Sequence, residues 1–179
     1  MKREWLLRRL AAYQPFDQEE LAMLGVLRRF VLENEDCYER FLSVGHITGS
    51  AWVVDAGREH VLLTHHRRLD KWLQLGGHAD GEPNVLQVAL REAREESGID
   101  RIWPVNESIF DVDVHEIPAR GAEPMHFHYD VRFLFEADSS QILLMSSESM
   151  ALAWVKLSEV RKLTDERSVL RMVEKTPRT

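Results

Sequence analysis

The amino-acid sequence predicts an α/β sandwich built on a mixed β-sheet, with a helical extension ahead of it. Three observations carry this. The first forty residues repeat apolar positions at helical spacing. From about Val44 the pattern changes to short β-like runs separated by turns. One strongly helical stretch, from about Asn84 to Ser97, interrupts those runs, which then resume and give way to short helices.

In the extension, residues 1–42, Leu6, Leu10 and Tyr13 form one stripe and Pro15 closes the segment. Asp17 followed by Glu20 resembles a capping arrangement, and Leu21, Leu24, Leu27 and Val31 continue a second helix up to Asn34-Glu35-Asp36. Residues 43–179 form the main domain. Its strand signals are 46–54, 60–66 and 72–75, split by Asp-Ala-Gly and Arg-Arg-Leu-Asp turns. Gly98 makes a natural C-terminal stop for the central helix. Further strands are expected at 108–115, 125–136 and 150–157, then helices near 158–163 and 165–174. Trp72, Trp103 and Trp154 are expected to pack on the sheet.

The chain has 179 residues, enough for a sizeable core without staples. Thirty acids against 23 bases give a net charge of −7, which argues against a general nucleic-acid grip and for a small-molecule substrate. One cysteine, Cys37, excludes an internal disulfide framework and a zinc ribbon. The N-terminal segment lacks the apolar run of a secretory signal, and no stretch approaches the roughly 20 apolar residues of a membrane span. A cytoplasmic protein without a membrane partner is expected, and a homodimer is compatible with the sequence.

Chemistry concentrates in Gly76–Ile99. Glu92, Glu95 and Glu96 stand at i, i+3 and i+4, so three carboxylates share one helical face. Arg91 and Arg94 do not neutralise three acids. An oxygen-only site of this kind suits magnesium or manganese. Val85, Leu86, Ala89, Leu90 and Ala93 give the helix an adjoining apolar face for the sheet. Gly76-Gly77 allows close backbone approach, so a peptide carbonyl can join a metal shell. The plain alternative for three such acids is a solvated helix face.

The surrounding pattern decides between them. From Gly77, and through Arg91-Glu92-Ala93-Arg94-Glu95-Glu96-Ser97-Gly98-Ile99, the segment resembles the Nudix box. One departure stands out: the box's first glutamate falls on Pro83, with Glu82 one place early. The resemblance implies a Nudix-type α/β/α sandwich and a Mg2+- or Mn2+-dependent pyrophosphohydrolase. It implies Glu92 and Glu96 as main metal ligands, with Glu95 assisting, Arg91 orienting the carboxylates and the Gly76 carbonyl as a further ligand. The family often takes another acid from a loop before the last strand, and Glu148 fits that position as general base. Glu116 and Glu123 are the alternatives. The implied substrate is a nucleoside diphosphate linked to another group.

Histidines form the second feature. His126, His128 and Asp130 alternate on one predicted strand and so point to one face, with His115 as a cross-strand neighbour and Arg132 continuing that face. The plainer reading makes His126, His128 and Asp130, together with His78, substrate contacts in a polar cleft. A His-X-His pair also suits a transition metal, but spacing fixes no third ligand. His65 and His66 flank the box as well.

Two other functions compete. The run 60–82 is loosely similar to the isopentenyl diphosphate isomerases, but their catalytic cysteine falls at Gly76 and Cys37 lies in the extension. A non-catalytic nucleotide-sensing module would have no use for the uncompensated acids.

Overall fold

The 11-residue strand Gly45–Asp55 (β1) is the axis of the fold, buried along all but its last residue. In the computed structural model, which describes residues 2–121 and 124–177, it pairs with three other strands. Before it come two helices, Glu4–Ala12 (α1) and Gln18–Glu33 (α2). After it come His60–His66 (β2), Lys71–Leu73 (β3), Leu75–His78 (β4) and the helix Val85–Ser97 (α3). Strands Ile102–Pro104 (β5), Asp111–Ile117 (β6), His126–Ala137 (β7) and Ser149–Lys156 (β8) follow. A 3-10 helix, Leu157–Lys162, and the helix Arg167–Lys175 (α4) complete the described chain.

The strands form one mixed sheet. β1 and β7 run parallel, in register from Gly45↔Phe127 to Asp55↔Ala137, and the remaining pairs are antiparallel. The other edge of β1 is shared: Thr48–Ala51 pairs with β4, and Val53-Val54 with β2. The far edge of β7 is likewise shared between β6 and β5. Two strands dividing one edge force the sheet to curl, and helices cover both faces.

Alternation along β1 assigns those faces. Ile47, Ala51 and Val53 enter a core with α1, α2 and α3, while Trp52 and Val54 join Val160, Val169 and Met172 on the other side. The N-terminal helices belong to the same core, since Leu6, Leu10 and Leu27 are fully buried in it. Each such side chain contributes about 1.5–3 kcal/mol of burial. Asp17 caps α2 by accepting the Glu20 amide at 2.8 Å. Gly98 ends α3 at φ 71°, a left-handed conformation that favours glycine.

Three details differ from the sequence reading. The run 72–75 is broken at Gln74 into β3 and β4, and β4 extends through Gly76-Gly77 to His78. The three-residue β5 is too short for periodicity to reveal. Trp103, on β5, is 45% exposed rather than packed, because β5 is a short edge strand.

Glu20 is more than a cap. Its buried carboxylate accepts from Tyr13, from the Phe16 amide at 2.6 Å and from Lys175 at 2.7 Å. It belongs to a buried polar layer with Asp111, Asp113, Asp130, Arg132, Arg171 and Lys175. Arg132 donates to Asp130 at 2.7 Å, Asp111 at 3.2 Å and Asp113 at 3.1 Å. Arg171 donates twice to Asp111, both at 2.9 Å.

Candidate active site

The amphipathic spacing of α3 turns Val85, Leu86, Val88, Ala89 and Ala93 into the core. The same geometry sends Glu92, Glu95 and Glu96 to the opposite margin, where they line a cavity of about 220 Å³. Ser146, Ser147 and Glu148 form its other wall. The structure therefore joins the three helix acids to Glu148, which is 52 residues further along the chain than Glu96. A larger cavity, about 890 Å³, lies elsewhere between the N-terminal segment and the 106–110 region. It contains no comparable group of acids.

Two devices hold the acid cavity. At Gly77 a Cβ would fall 2.4 Å from Glu92 Oε2, so any larger residue there would push that carboxylate from its present position. On the opposite wall, Arg67 pins the loop that carries Glu148. Its guanidinium donates to the carbonyls of Ser147 (3.1 Å) and Ser149 (2.9 Å), and its amide to that of Glu148 (2.8 Å). Nothing in the sequence separates Arg67 from a surface arginine. Only the β2–β8 pairing brings it to that loop.

Charge in the cavity is poorly compensated. Among the described residues, the one ion pair made by these four acids is Arg91 to Glu92, at 2.6 Å. Arg91 also donates to the His78 carbonyl at 3.1 Å, so it takes the adjacent acid and a strand carbonyl rather than Glu95 at i+4. Burial, followed by the nearby Glu92, Glu148 and Glu95, pushes the Glu96 pKa up to about 8, with the Gly76 backbone amide pulling the other way. Glu96 Oε2 is buried without a hydrogen-bond partner among the described residues. Burial also raises Glu92, against the pull of Arg91. Glu82 stays exposed and accepts the Asn84 amide at 2.8 Å, serving the turn before α3.

The histidines come together, but away from this cavity. Gly77 and His78 are adjacent in β4 and face opposite ways, Gly77 toward Glu92 and His78 toward His46 and His128. None of His78, His126 and His128 lines the acid cavity. His46, which sequence reading passed over, is the direct partner of His128 across the parallel β1–β7 pair. Its signal is a register, which no local pattern contains. Burial, with Arg40 and His46 next, lowers His78 to about 4. Burial and the surrounding imidazoles lower His128 to about 2. Both rings are neutral at pH 7.

Asp130 requires a correction. It is 2% exposed and accepts from Thr48 (2.9 Å), Ser50 (2.8 Å), Gln74 (3.3 Å) and Arg132 (2.7 Å). Those bonds occupy its lone pairs, so it is architecture beneath the histidines and not a substrate contact. His65 meets Asp70 at 3.0 Å, and His66 Nδ1 accepts two amides of the β2–β3 turn. Glu116 lies on β6, outside the acid cavity, and Glu123 lies outside the described residues. Cys37 is fully buried, and that burial pushes its thiol up to about 12, leaving no thiolate for isomerase chemistry.

A family model described as the NUDIX domain matches residues 46–175. No curated protein matches the sequence. Among solved structures, a C. elegans Ap4A hydrolase is similar at 19% identity and TM-score 0.59, covering 72% of this chain and 93% of its own. The E. coli dihydroneopterin triphosphate pyrophosphohydrolase is similar at 18% identity and TM-score 0.58, covering 72% and 92%. A MutT protein from Bacillus halodurans has 25% identity and TM-score 0.51, covering 72% and 79%. With the family model spanning most of the length and the mixed curled sheet in place, the chain belongs to the NUDIX family and is a hydrolase acting on pyrophosphate bonds.

Proposed function

We propose that this protein is a divalent-cation-dependent pyrophosphohydrolase that cleaves the diphosphate linkage of a nucleoside diphosphate joined to another group. The observation that carries this reading is the cavity in which four acids meet with one paired guanidinium. Such a group fits a hard cation, because its donors are all oxygens and the buried Glu96 Oε2 has no hydrogen-bond partner among the described residues. Glu92, Glu95, Glu96 and the Gly76 carbonyl would hold Mg2+ or Mn2+, which supplies neutralisation of phosphate charge.

The chain's own residues do the rest. Arg91 fixes Glu92 by holding it from one side while donating to the His78 carbonyl. Glu148, on the facing wall, accepts the proton of the attacking water, since the helix acids are committed to the cation. Arg67 keeps the Glu148 loop against β2. The protein mainly contributes position and a fixed charge pattern.

The substrate class draws support from the names of the structural relatives, an Ap4A hydrolase and a dihydroneopterin triphosphate pyrophosphohydrolase, whose substrates contain phosphoric anhydrides. The domain division at 42/43 fits the start of the matched region, and the negative net charge favours a small substrate over a long polyanion. The decisive experiment is a panel of nucleoside diphosphate derivatives and triphosphates with Mg2+ or Mn2+, the products identified by mass, run beside Glu96→Gln. A monophosphate product with wild type and none with the variant is expected. Turnover that survives chelation, or an unchanged rate in Glu96→Gln at limiting Mg2+, would overturn the reading.

A further inference from the structure

Three adjacent strands, β4, β1 and β7, direct histidines to the same face of the sheet: His78 from β4, His46 from β1, and His126 and His128 from β7. Register explains the convergence. His46 is the Cα partner of His128, and His78 is the partner of Thr48, two residues on from His46 on the same face of β1. One ring nitrogen from each of the three lies within 4.8 Å of the others. The ring centroids are 4.9 Å apart for His46–His78, 5.0 Å for His46–His128 and 4.9 Å for His78–His128.

We propose that His46, His78 and His128 bind one divalent transition-metal ion of the zinc, cobalt or nickel class, at a site separate from the acid cavity. The donor set selects this class. Three imidazoles with no thiolate suit borderline divalent ions, whereas the carboxylates around α3 suit hard ones. Zinc–nitrogen bonds of about 2.0–2.1 Å set two tetrahedral ligands roughly 3.4 Å apart, so side-chain rotation of about 1 Å closes the site on its strands. Backbone pairing holds each ligand's strand in place, which is what a preorganised site needs.

A second observation points the same way. His128 Nε2 is buried with no hydrogen-bond partner among the described residues. A neutral imidazole carries one donor and one acceptor, and edge-on packing against other imidazoles satisfies neither. Were the cluster only filling space, apolar rings would do so without that burden. The surroundings fit as well. His115 Nδ1 meets Asp113 at 3.0 Å, which turns its ring toward that carboxylate. His126 Nδ1 donates to the Pro124 carbonyl at 3.0 Å, which leaves Nε2 as its lone-pair nitrogen beside the site. Three protein ligands leave one tetrahedral position for water or for an oxygen of a bound anion.

The test uses the full chain, stripped with chelator and kept in excess Mg2+ so that the acid cavity is saturated. Equilibrium dialysis against Zn2+ should give one ion per chain, and Co2+ should give the intense visible absorption of a four-coordinate nitrogen site. His46→Asn and His128→Gln, which keep polar side chains of similar size, should each weaken Zn2+ binding by more than the roughly 10–100-fold that follows loss of an outer hydrogen-bond partner. Glu96→Gln should leave both readouts unchanged, with circular dichroism confirming the fold of every variant. Absence of stoichiometric Zn2+, or binding that survives both histidine changes, would overturn the proposal. So would binding lost in Glu96→Gln, because that places the ion among the acids.

Discussion

Two groups of carboxylates in this protein differ in how they are matched. In the buried layer, Glu20, Asp111, Asp113 and Asp130 face Arg132, Arg171 and Lys175. Neutral donors complete it, including Thr48 and Ser50 on Asp130 and the Val112 amide on Glu20. At the cavity beside α3, Glu92, Glu95, Glu96 and Glu148 have one ion pair between them among the described residues. The pKa directions follow the matching. Burial works to raise Asp113, yet Arg132, His115 and Arg171 together outweigh it and bring the carboxyl down to about 2. Burial raises Glu96 and the neighbouring acids add to it, so its carboxyl reaches about 8. Matched charge is architecture here, and unmatched charge is what the proposed cation would neutralise.

The comparison is broken most severely by removing the acid assigned as base. Glu148→Gln should lower kcat by roughly 10²–10⁴-fold, the usual contribution of general-base catalysis. Its metal dependence should shift less than that of Glu96→Gln, since Glu148 sits on the facing wall. Steady-state kinetics across Mg2+ concentrations separate the two. Near-normal kcat in Glu148→Gln, with loss in Glu116→Gln or Glu123→Gln, would move the base to the end of β6 or to the segment that follows it.

The matched cluster should fail in the opposite currency. Arg132→Met leaves three buried aspartates short of their shared cation, and removing one partner of a buried pair typically destabilises by about 3–5 kcal/mol. Denaturant unfolding measures it. In contrast, Glu96→Gln relieves repulsion, so its metal-free stability should equal or exceed that of wild type. A stability loss in Glu96→Gln comparable to that in Arg132→Met would erase the distinction between the two clusters.

The sequence carried one of these regions openly and hid the other. The acids of α3 are separated by three or four residues, so helical periodicity alone places them on one face, and Gly98 marks where the helix stops. Glu148 was within reach because its place before the last strand fits the family pattern. The buried layer could not be read this way. Glu20 resembled a cap, and no local pattern marked Arg171 or Lys175, because their partners on β6 lie about 60 to 90 residues away. His46 and Arg67 were hidden for the same reason: each gains its meaning from a strand register. Asp130 misled in the other direction. Its alternation with His126 and His128 was right, but alternation does not report depth, and Arg132, Thr48 and Ser50 claim it from neighbouring positions.

The last expected effect, which the two clusters show with opposite sign, is that of pH. An unfolded chain titrates Glu96 near its ordinary value of 4.5, whereas the metal-free folded protein holds that proton up to about 8. Between those values the folded state binds more protons, so the stability of the metal-free protein should fall as pH rises through the window. Asp113 does the reverse. Its carboxyl titrates near 3.8 when unfolded and about 2 when folded, so its contribution is complete above 3.8 and disappears as pH falls through 2. Thermal unfolding in chelator from about pH 4 to pH 9 should therefore show wild type and Glu96→Gln converging at the acid end, with the variant gaining as pH rises. Added Mg2+ should cancel that gain, because a cation favours the ionised carboxylate and draws the Glu96 pKa down. Parallel curves across the whole range would mean that Glu96 is already ionised in the folded protein, and the unmatched cavity would then need a cation that none of the described residues supplies.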